Sequence, residues 1–202
     1  MESIFEKRLT VTPDYCDASG ALSPLAAFTI FQGIAAQHAE VLGVGSSAMA
    51  KKGEFWLTVH TRVDLFERAY LMDELTVRTW AEACSERDVR TYRSYTLSRG
   101  EAVIPEKLQR FHEKFEDAGL FSHYAVRSTD IDLGHHMNNV AYVRLLLDCF
   151  SAKELASGNI QSVELHYSTP CFEGEALTVY KESLADGTCR IGIVKPDGKT
   201  AS

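Results

Sequence analysis

Apolar positions along the chain predict one long helix near the start. Residues 18–39 contain no Lys, Arg, Asp or Glu. Ser23 is a suitable N-cap, Pro24 suits the first helical position, and Gly43 can take the left-handed conformation that ends a helix. Polar residues inside the run, Gln32 and Gln37 among them, argue against a membrane span. We therefore predict a helix of about 18 residues, roughly 27 Å long, that is buried nearly all round in a soluble protein.

Alternation of apolar and polar residues with a period of two predicts strands after this helix. It runs from Phe55 to Leu65, from Leu75 to Glu82 and from Val89 to Ser98. A charged stretch punctuated by proline, Glu101 to Asp117, follows and is typical of a linker. The first half of the chain thus reads as a helix followed by antiparallel strands.

The second half of the chain repeats this order. Asp17 aligns with Asp132 at a shift of 115 positions, and Asp73 aligns with Glu175 at a shift of 102. The smaller shift implies about 13 extra residues in the first half, around residues 43–53. Either one structural unit is written twice, or two unrelated α+β segments resemble each other by chance.

A long helix without charges needs apolar cover on most sides, and a curved antiparallel sheet wrapped around it supplies that cover. This is the hotdog arrangement. We predict an α+β protein with two tandem hotdog units, residues 1–104 and 124–202, joined by a linker at 105–123. Few residues remain for a closing strand in either half, after Gly100 and after Gly198.

Composition narrows the class of protein. The chain has 202 residues and a net charge of −7, which argues against a general nucleic-acid or anionic membrane surface. Five cysteines without a CxxC pair predict neither a disulfide framework nor a zinc site. The charged N-terminus does not resemble a secretory signal, so we expect a cytoplasmic protein. No cofactor is indicated.

The segment from Ser128 to Tyr142 carries the densest chemistry. Asp132 and His136 lie in the loop before the second helix and can converge on one water or one acyl carbon. Asn138 and Asn139 either cap this helix or help its N-terminus to polarise a carbonyl group. His135 and His136 are adjacent, and neighbouring histidines in one loop rarely ligate the same ion, so no metal site is predicted.

This segment resembles the signature of acyl-acyl-carrier-protein (acyl-ACP) thioesterases, which reads roughly D-x-D-x-N-x-H-x-N-N-x-x-Y. Landmarks in the first half, such as Phe55-Trp56 and Thr79-Trp80, are similar to that family too. The resemblance covers most of the chain. It implies a double-hotdog fold, hydrolysis of an acyl thioester, and an acyl-carrier protein with a phosphopantetheine-linked acyl chain as partner.

Carried over residue by residue, the resemblance makes Asp132 the essential acid, His136 the histidine and Cys171 the cysteine of the catalytic set. Gly134 stands where the family often has Asn, and Pro170 where it has an acid. We expect Asp132 to activate or position water, or to attack the carbonyl directly, with Cys171 as the second choice of nucleophile. Substrate-positioning roles fall to three residues of the loop and of the start of the helix: Gly134, Asn138 and Asn139.

The repeat predicts a single catalytic site. Ala21 aligns with His136 and Ala69 with Cys171, so the first half lacks the imidazole and the thiol. We expect the first half to hold the acyl chain, with apolar residues of the first helix as candidates for the tunnel lining: Leu25, Phe28 and Phe31.

Two other functions stay open. The first is an acyl-coenzyme A thioesterase, because a similar Asp-bearing loop serves hotdog enzymes of both kinds. The second is a hotdog protein that binds acyl groups without turnover, which the departures at Gly134 and Pro170 motivate. The sequence also leaves open a homodimer and the length of the acyl chain.

Overall fold

The structure, a computed structural model, describes residues 4–83, 91–100 and 119–202. Within these ranges each half has the predicted long helix followed by strands, with a strand before that helix and a further short helix after it. Their bounds are β1 Phe5–Thr10, α1 Pro24–Val41, α2 Ser46–Ala50, β2 His60–Asp64, β3 Glu74–Ala81, β4 Arg93–Ser98, β5 Gly119–Ala125, α3 Asn139–Leu147, α4 Ala152–Ala156, β6 Ser162–His166, β7 Ala176–Ser183 and β8 Cys189–Val194.

The chain forms two compact units. The first unit comprises Met1–Trp56, Val63–Lys107 and Ala152–Ser162, and the second comprises Leu57–Arg62, Leu108–Ser151 and Val163–Ser202. The first contains the antiparallel sheet β1-β3-β4, and the second contains the antiparallel sheet β5-β7-β8. Strands β2 and β6 pair with each other.

Helix α1 has the predicted bounds and caps. The Ser23 hydroxyl accepts the Ala26 N–H at 3.1 Å, Pro24 is the first helical residue, and Gly43 has a φ of +73°. One side of the helix packs into the core of the first unit through apolar residues that include Ala26, Ile30 and Ile34. The local sequence therefore predicted this helix correctly.

The burial of α1 differs from the prediction. One side of the helix is exposed and carries polar and small residues, namely Thr29, Gln32, Gly33, Ala36, Gln37 and Glu40. These side chains recur at the spacing of one helical face, opposite the apolar residues that contact the core. The absence of charge up to Ala39 reflects small and amide side chains on the solvent side, so the prediction of burial nearly all round was wrong.

The first predicted strand is shorter than the alternation suggested. Regular strand structure begins at His60, and Phe55, Trp56 and Leu57 are exposed. The Trp56 Nε1–H donates to the carbonyl of Val44 at 2.8 Å, which ties this segment back to the turn after α1. Strand β3 matches the prediction within one residue, and the predicted strand residues 89–90 lie outside the described residues.

Matching hydrogen bonds in the two halves bear out the repeat. The Asp17 N–H donates to Ala21 O at 2.8 Å, and at a shift of 115 the Asp132 N–H donates to His136 O at 3.1 Å. One position before these two acceptors, the first half has Gly20, with a φ of +79°, and the second has His135, with a φ of +60°. Both halves therefore make the same loop before their first helix.

Backbone hydrogen bonds that join a residue aligned at a shift of 115 to one aligned at a shift of 102 confirm both shifts together. The Leu22 N–H donates to Ala69 O at 2.8 Å, and the Met137 N–H donates to Cys171 O at 2.8 Å. The extra residues of the first half include α2, within the segment that the alignment indicated. The second helix is shorter than the first, because α3 ends at Leu147 after nine residues.

The structure describes the residues that end the second half of the chain, but not those that end the first. Thr200 pairs with Val194, and the Ser168 N–H donates to Ala201 O at 2.9 Å, so the residues after Gly198 fold back beside β8. The corresponding residues 101–104 lie outside the described part of the chain, as do residues 105–118 of the predicted linker. The predicted unit boundaries stay predictions.

Candidate active site

Asp132 and His136 face each other across the loop that precedes α3. The Asp132 Oδ1 and His136 Nδ1 atoms are 3.8 Å apart, and the side chains are 29% and 20% exposed. The Asp132 Oδ1 accepts the Gly134 N–H at 2.8 Å, which holds the carboxylate in place. A carboxylate oxygen can accept more than one hydrogen bond, so the accessible side of Asp132 can still bind a water molecule. The loop brings the two predicted residues together.

Gly134 leaves the space in which the imidazole of His136 lies. A Cβ atom at this position would be 2.8 Å from His136 Nε2 and 3.1 Å from Asp132 Oδ1. Both distances are too short for an unshifted neighbour, so any side chain here would displace the imidazole. The departure from the Asn pattern is therefore matched to the position of His136, and the Gly134 N–H still contacts the acid.

Asn138 performs two tasks at the start of α3. Its Oδ1 accepts the Val140 N–H at 2.8 Å as an N-cap, and its Nδ2 donates to Asp132 Oδ2 at 3.4 Å. Asn139 is the first residue of the helix, and its carbonyl accepts the Tyr167 hydroxyl at 3.4 Å. The capping prediction for Asn138 is confirmed, and the same side chain also orients the acid.

Sequence reasoning missed the buried brace beneath this loop. Asp130 is 1% exposed and accepts the Tyr124 hydroxyl at 2.6 Å and the Arg127 N–H at 2.8 Å. The Arg144 guanidinium pairs with the other oxygen of Asp130. Burial alone would raise the pKa of Asp130, but the Tyr124, Arg127 and Arg144 donors outweigh it and lower the pKa.

Arg144 lies four residues before Asp148, a spacing that suits a surface ion pair, yet its Nη2 contacts Asp130, fourteen residues earlier. The buried carboxylate gains more from the cation than an exposed one does, because water screens it less. The signal that could have found the pair was the first acid of the D-x-D spacing, Asp130, just before the loop.

Cys171 is enclosed rather than presented to the loop. Its exposed fraction is 0%, its N–H donates to the Tyr142 hydroxyl at 3.2 Å, and its Sγ lies 4.0 Å from Thr169 O. Burial is the main cause that raises the pKa of the thiol. A raised pKa disfavours the thiolate that a nucleophilic cysteine requires.

The first unit contains an acid in the same loop position, and a cation neutralises it. Asp17 accepts the Ser19 N–H at 2.8 Å and the Ser19 hydroxyl at 2.6 Å, and its other oxygen pairs with the Arg68 guanidinium. The Asp17 side chain is 7% exposed, against 29% for Asp132. Burial opposes the shift, but the Ser19 and Arg68 contacts lower the pKa of Asp17. At a shift of 102, Arg68 aligns with Pro170, so the second unit has no guanidinium at this position.

The three candidate tunnel residues lie on α1 in different surroundings. Phe28 is buried, whereas Leu25 and Phe31 are half-buried. Phe31 stacks on Tyr95 with ring centroids 4.9 Å apart and packs against the core of the first unit.

Family models match almost the whole chain. Residues 2–110 match the acyl-ACP thioesterase N-terminal domain, and residues 113–199 match the acyl-ACP thioesterase C-terminal domain. With the repeated helix-and-sheet units and the loop that pairs Asp132 with His136, these matches define a double-hotdog enzyme that hydrolyses thioesters. The chain belongs to the acyl-ACP thioesterase family, whose members release fatty acids from acyl-ACP in fatty acid biosynthesis.

Solved structures agree on the fold. An acyl-ACP thioesterase from Bacteroides thetaiotaomicron aligns with a TM-score of 0.83 and 17% identity over 98% of this chain and 94% of that one. A 12:0-ACP thioesterase from Umbellularia californica gives 0.77 and 17%, over 98% and 94%. An oleoyl thioesterase from Lactobacillus plantarum gives 0.74 and 15%, over 99% and 93%. A comparison with curated proteins found no significant match. The α+β fold of two tandem hotdog units is confirmed.

No helix in the described part of the chain is long and apolar enough to cross a membrane.

Proposed function

We propose that hydrolysis takes place at the loop before α3 in the second unit, with Asp132 as the group that activates or positions the attacking water. The observation that carries this is the contrast between the two aligned acids. Asp132 is accessible beside an imidazole, whereas Asp17 is enclosed and paired with Arg68. A carboxylate held by a guanidinium is a poor base, because the cation stabilises its charged form.

In this mechanism a water molecule binds between Asp132 and His136. The 3.8 Å separation of Oδ1 and Nδ1 is longer than a direct hydrogen bond, so the carboxylate and the imidazole do not satisfy each other and can contact a water molecule. Asp132 takes or orients the water proton as the water oxygen attacks the thioester carbonyl carbon. His136 orients the water or moves the proton toward the departing thiolate.

The N-terminus of α3 supports the charge that develops on the carbonyl oxygen. Backbone N–H groups of a first helical turn point outward and favour negative charge. Asn138 keeps this turn in place through its cap and holds Asp132 through its Nδ2. The carbonyl and the water are thereby aligned by one loop and one helix end.

The thiol of Cys171 has a structural role in this proposal. Replacing Cys171 with alanine should leave kcat within about twofold of the wild type, because Asp132 and His136 keep their positions. The free energy of unfolding should fall by about 1 kcal/mol, since a small buried side chain loses its packing. Steady-state hydrolysis and thermal melting of the same preparation check both values. A loss of kcat by 100-fold or more in folded protein would restore the thiol as nucleophile.

The carrier is tested by presenting one acyl chain on two carriers. We expect kcat/KM to be at least about tenfold higher for acyl-ACP than for the matching acyl-coenzyme A, which corresponds to about 1.4 kcal/mol of additional binding in the transition state. A series from short to long chains on ACP then gives the preferred length. Equal rates on both carriers would favour an acyl-coenzyme A thioesterase, and bound thioester that stays intact would favour a binding protein.

The first half keeps the helix and the loop but lacks the imidazole and the thiol, which supports a role in holding the acyl chain. We propose that α1 contributes Leu25, Phe28 and Phe31 to the surface that holds the acyl chain, with Phe28 the most enclosed of the three. We also propose a cytoplasmic location and a homodimer, and the molar mass in solution tests the second.

A further inference from the structure

Two imidazoles and a carboxylate lie together on the paired strands β2 and β6. His60 belongs to β2, Glu164 and His166 belong to β6, and all three fall within the second unit. The Tyr167 N–H donates to Val59 O at 3.0 Å, so the next residues along these antiparallel strands, His60 and His166, face each other. Glu164 is two residues from His166 and shares its side of the strand.

The ligand atoms of these three side chains are close enough to share one ion. The His60 Nε2 and Glu164 Oε1 atoms are 2.6 Å apart, and the His60 and His166 ring centroids are 3.9 Å apart. One ligand atom from each residue lies within 4.8 Å of the other two. Atoms that bind Zn²⁺ at about 2.0–2.2 Å in a tetrahedral site are roughly 3.3–3.6 Å from one another. Side-chain adjustments of less than about 1.5 Å therefore convert the cluster into a coordination site.

The fold itself does not require these residue types. At a shift of 102, the equivalent positions hold Ser162 for His60, Arg62 for Glu164 and Asp64 for His166. The same paired strands are thus built with other side chains in the symmetric half of the repeat. Two imidazoles with one carboxylate are a recurrent ligand set for Zn²⁺ and similar ions.

The burial of the cluster suits a bound ion. The His60 and Glu164 side chains are 14% and 23% exposed, so they are shielded yet not sealed from solvent. A hydrogen bond joins the His60 Nε2 and Glu164 Oε1 atoms. Protonated imidazoles do not bind metal, so binding requires neutral histidines.

We propose that His60, Glu164 and His166 form a site for a divalent transition-metal ion of the Zn²⁺ class, with water as the fourth ligand. The ion joins β2 to β6 inside the second unit and acts as a structural clamp. The site shares no residue with the loop that holds Asp132, so the proposal stands independently of the catalytic mechanism.

Titration of the metal-free full chain with ZnCl₂ tests the site. Calorimetry should show one equivalent of Zn²⁺ bound per chain. Zinc at a hundred times its dissociation constant should raise the melting temperature by roughly 5–10 °C. Co²⁺ in the same site should give ligand-field absorption without a thiolate charge-transfer band, because no cysteine takes part.

Three single variants identify the ligands: His60→Ala, Glu164→Gln and His166→Ala. Each should weaken Zn²⁺ binding by at least about tenfold. Metal-free melting of each variant reports whether it folds. Glu164→Gln is the most conservative of the three and decides the outcome if either histidine variant is unfolded.

Two control variants test whether zinc binds elsewhere in the second unit. His123→Ala changes an exposed imidazole on β5 in the same unit, and Asp132→Asn changes the catalytic loop; both should keep the full Zn²⁺ affinity. The proposal is overturned if the wild type binds no zinc, or if Glu164→Gln binds it as tightly as the wild type. A thiolate band with Co²⁺, or loss of binding in Asp132→Asn, would place the ion elsewhere and overturn it too.

Discussion

Asp132→Asn should lower kcat for acyl-ACP hydrolysis by about 10²–10⁴-fold, the usual contribution of a general base. The amide keeps the shape of the side chain but cannot take a proton. A direct attack by the carboxylate is lost in the same variant, so the expectation holds for both routes. Single-turnover hydrolysis of a purified acyl-ACP measures the chemical step without interference from product release.

The repeat supplies a matched control for this variant. Asp17→Asn makes the same chemical change at the equivalent loop position of the first unit, where Asp17 forms an ion pair with Arg68. We expect its kcat per folded molecule to stay within about twofold of the wild type, while its stability falls because Arg68 loses its partner. Comparable losses of kcat in the two variants, or a fully active Asp132→Asn enzyme, would contradict a single site in the second unit.

Asp130→Asn, unlike Asp132→Asn, should mainly lower the stability of the folded protein. Breaking a fully buried ion pair costs about 3–5 kcal/mol, and we expect about 2–3 kcal/mol here because the Arg144 side chain is 43% exposed. The amide also presents an N–H₂ group to a donor such as the Tyr124 hydroxyl. The melting temperature should fall by roughly 4–12 °C at neutral pH.

The pH dependence identifies the cause of this loss. The pKa of Asp130 is lowered in the folded protein, so its ionised form contributes stability above the unfolded value of about 3.9. That contribution disappears as the pH falls below 3.9 through the folded pKa. The difference in unfolding free energy between the wild type and Asp130→Asn should therefore be constant from pH 7 to about 5 and shrink in more acidic solution. Urea unfolding at several pH values measures it, with Asp132→Asn as the control of near-normal stability.

A difference that stays the same down to pH 3 would show that packing, rather than charge, causes the loss. An unchanged melting temperature at pH 7 would contradict the role of Asp130 as a buried brace.

Local chemistry explains why α1 and the catalytic loop could be predicted from the sequence. Ser23 and Pro24 start α1 by interactions within one turn, and a left-handed Gly43 follows its end. Asp132 and His136 are four residues apart in one loop, which closes with a backbone hydrogen bond between them, as its counterpart does at a shift of 115. Contacts over four or five residues depend on few other parts of the chain, so a sequence pattern specifies them well.

Burial and long-range pairing were harder to predict. The spacing of four residues favours a pair between Arg144 and Asp148, but Arg144 contacts Asp130, whose carboxylate also accepts the Tyr124 hydroxyl. The alternation from Phe55 onward predicted a strand, but the Trp56 contact with Val44 holds the first part of it elsewhere. The tertiary fold decides which of several distant partners a side chain contacts, and a local periodicity does not carry that information.

By itself, the sequence determined the bounds of α1, the position of β3, the twofold repeat and the loop that pairs Asp132 with His136. Each follows from spacing, capping or periodicity over short stretches of chain. Tertiary structure alone decided that Arg68 neutralises Asp17, that Cys171 is enclosed, and that His60 meets Glu164 across 104 residues. The physical reason is that charge pairing and burial depend on which distant segments become neighbours, and the chain settles this only when it packs its core.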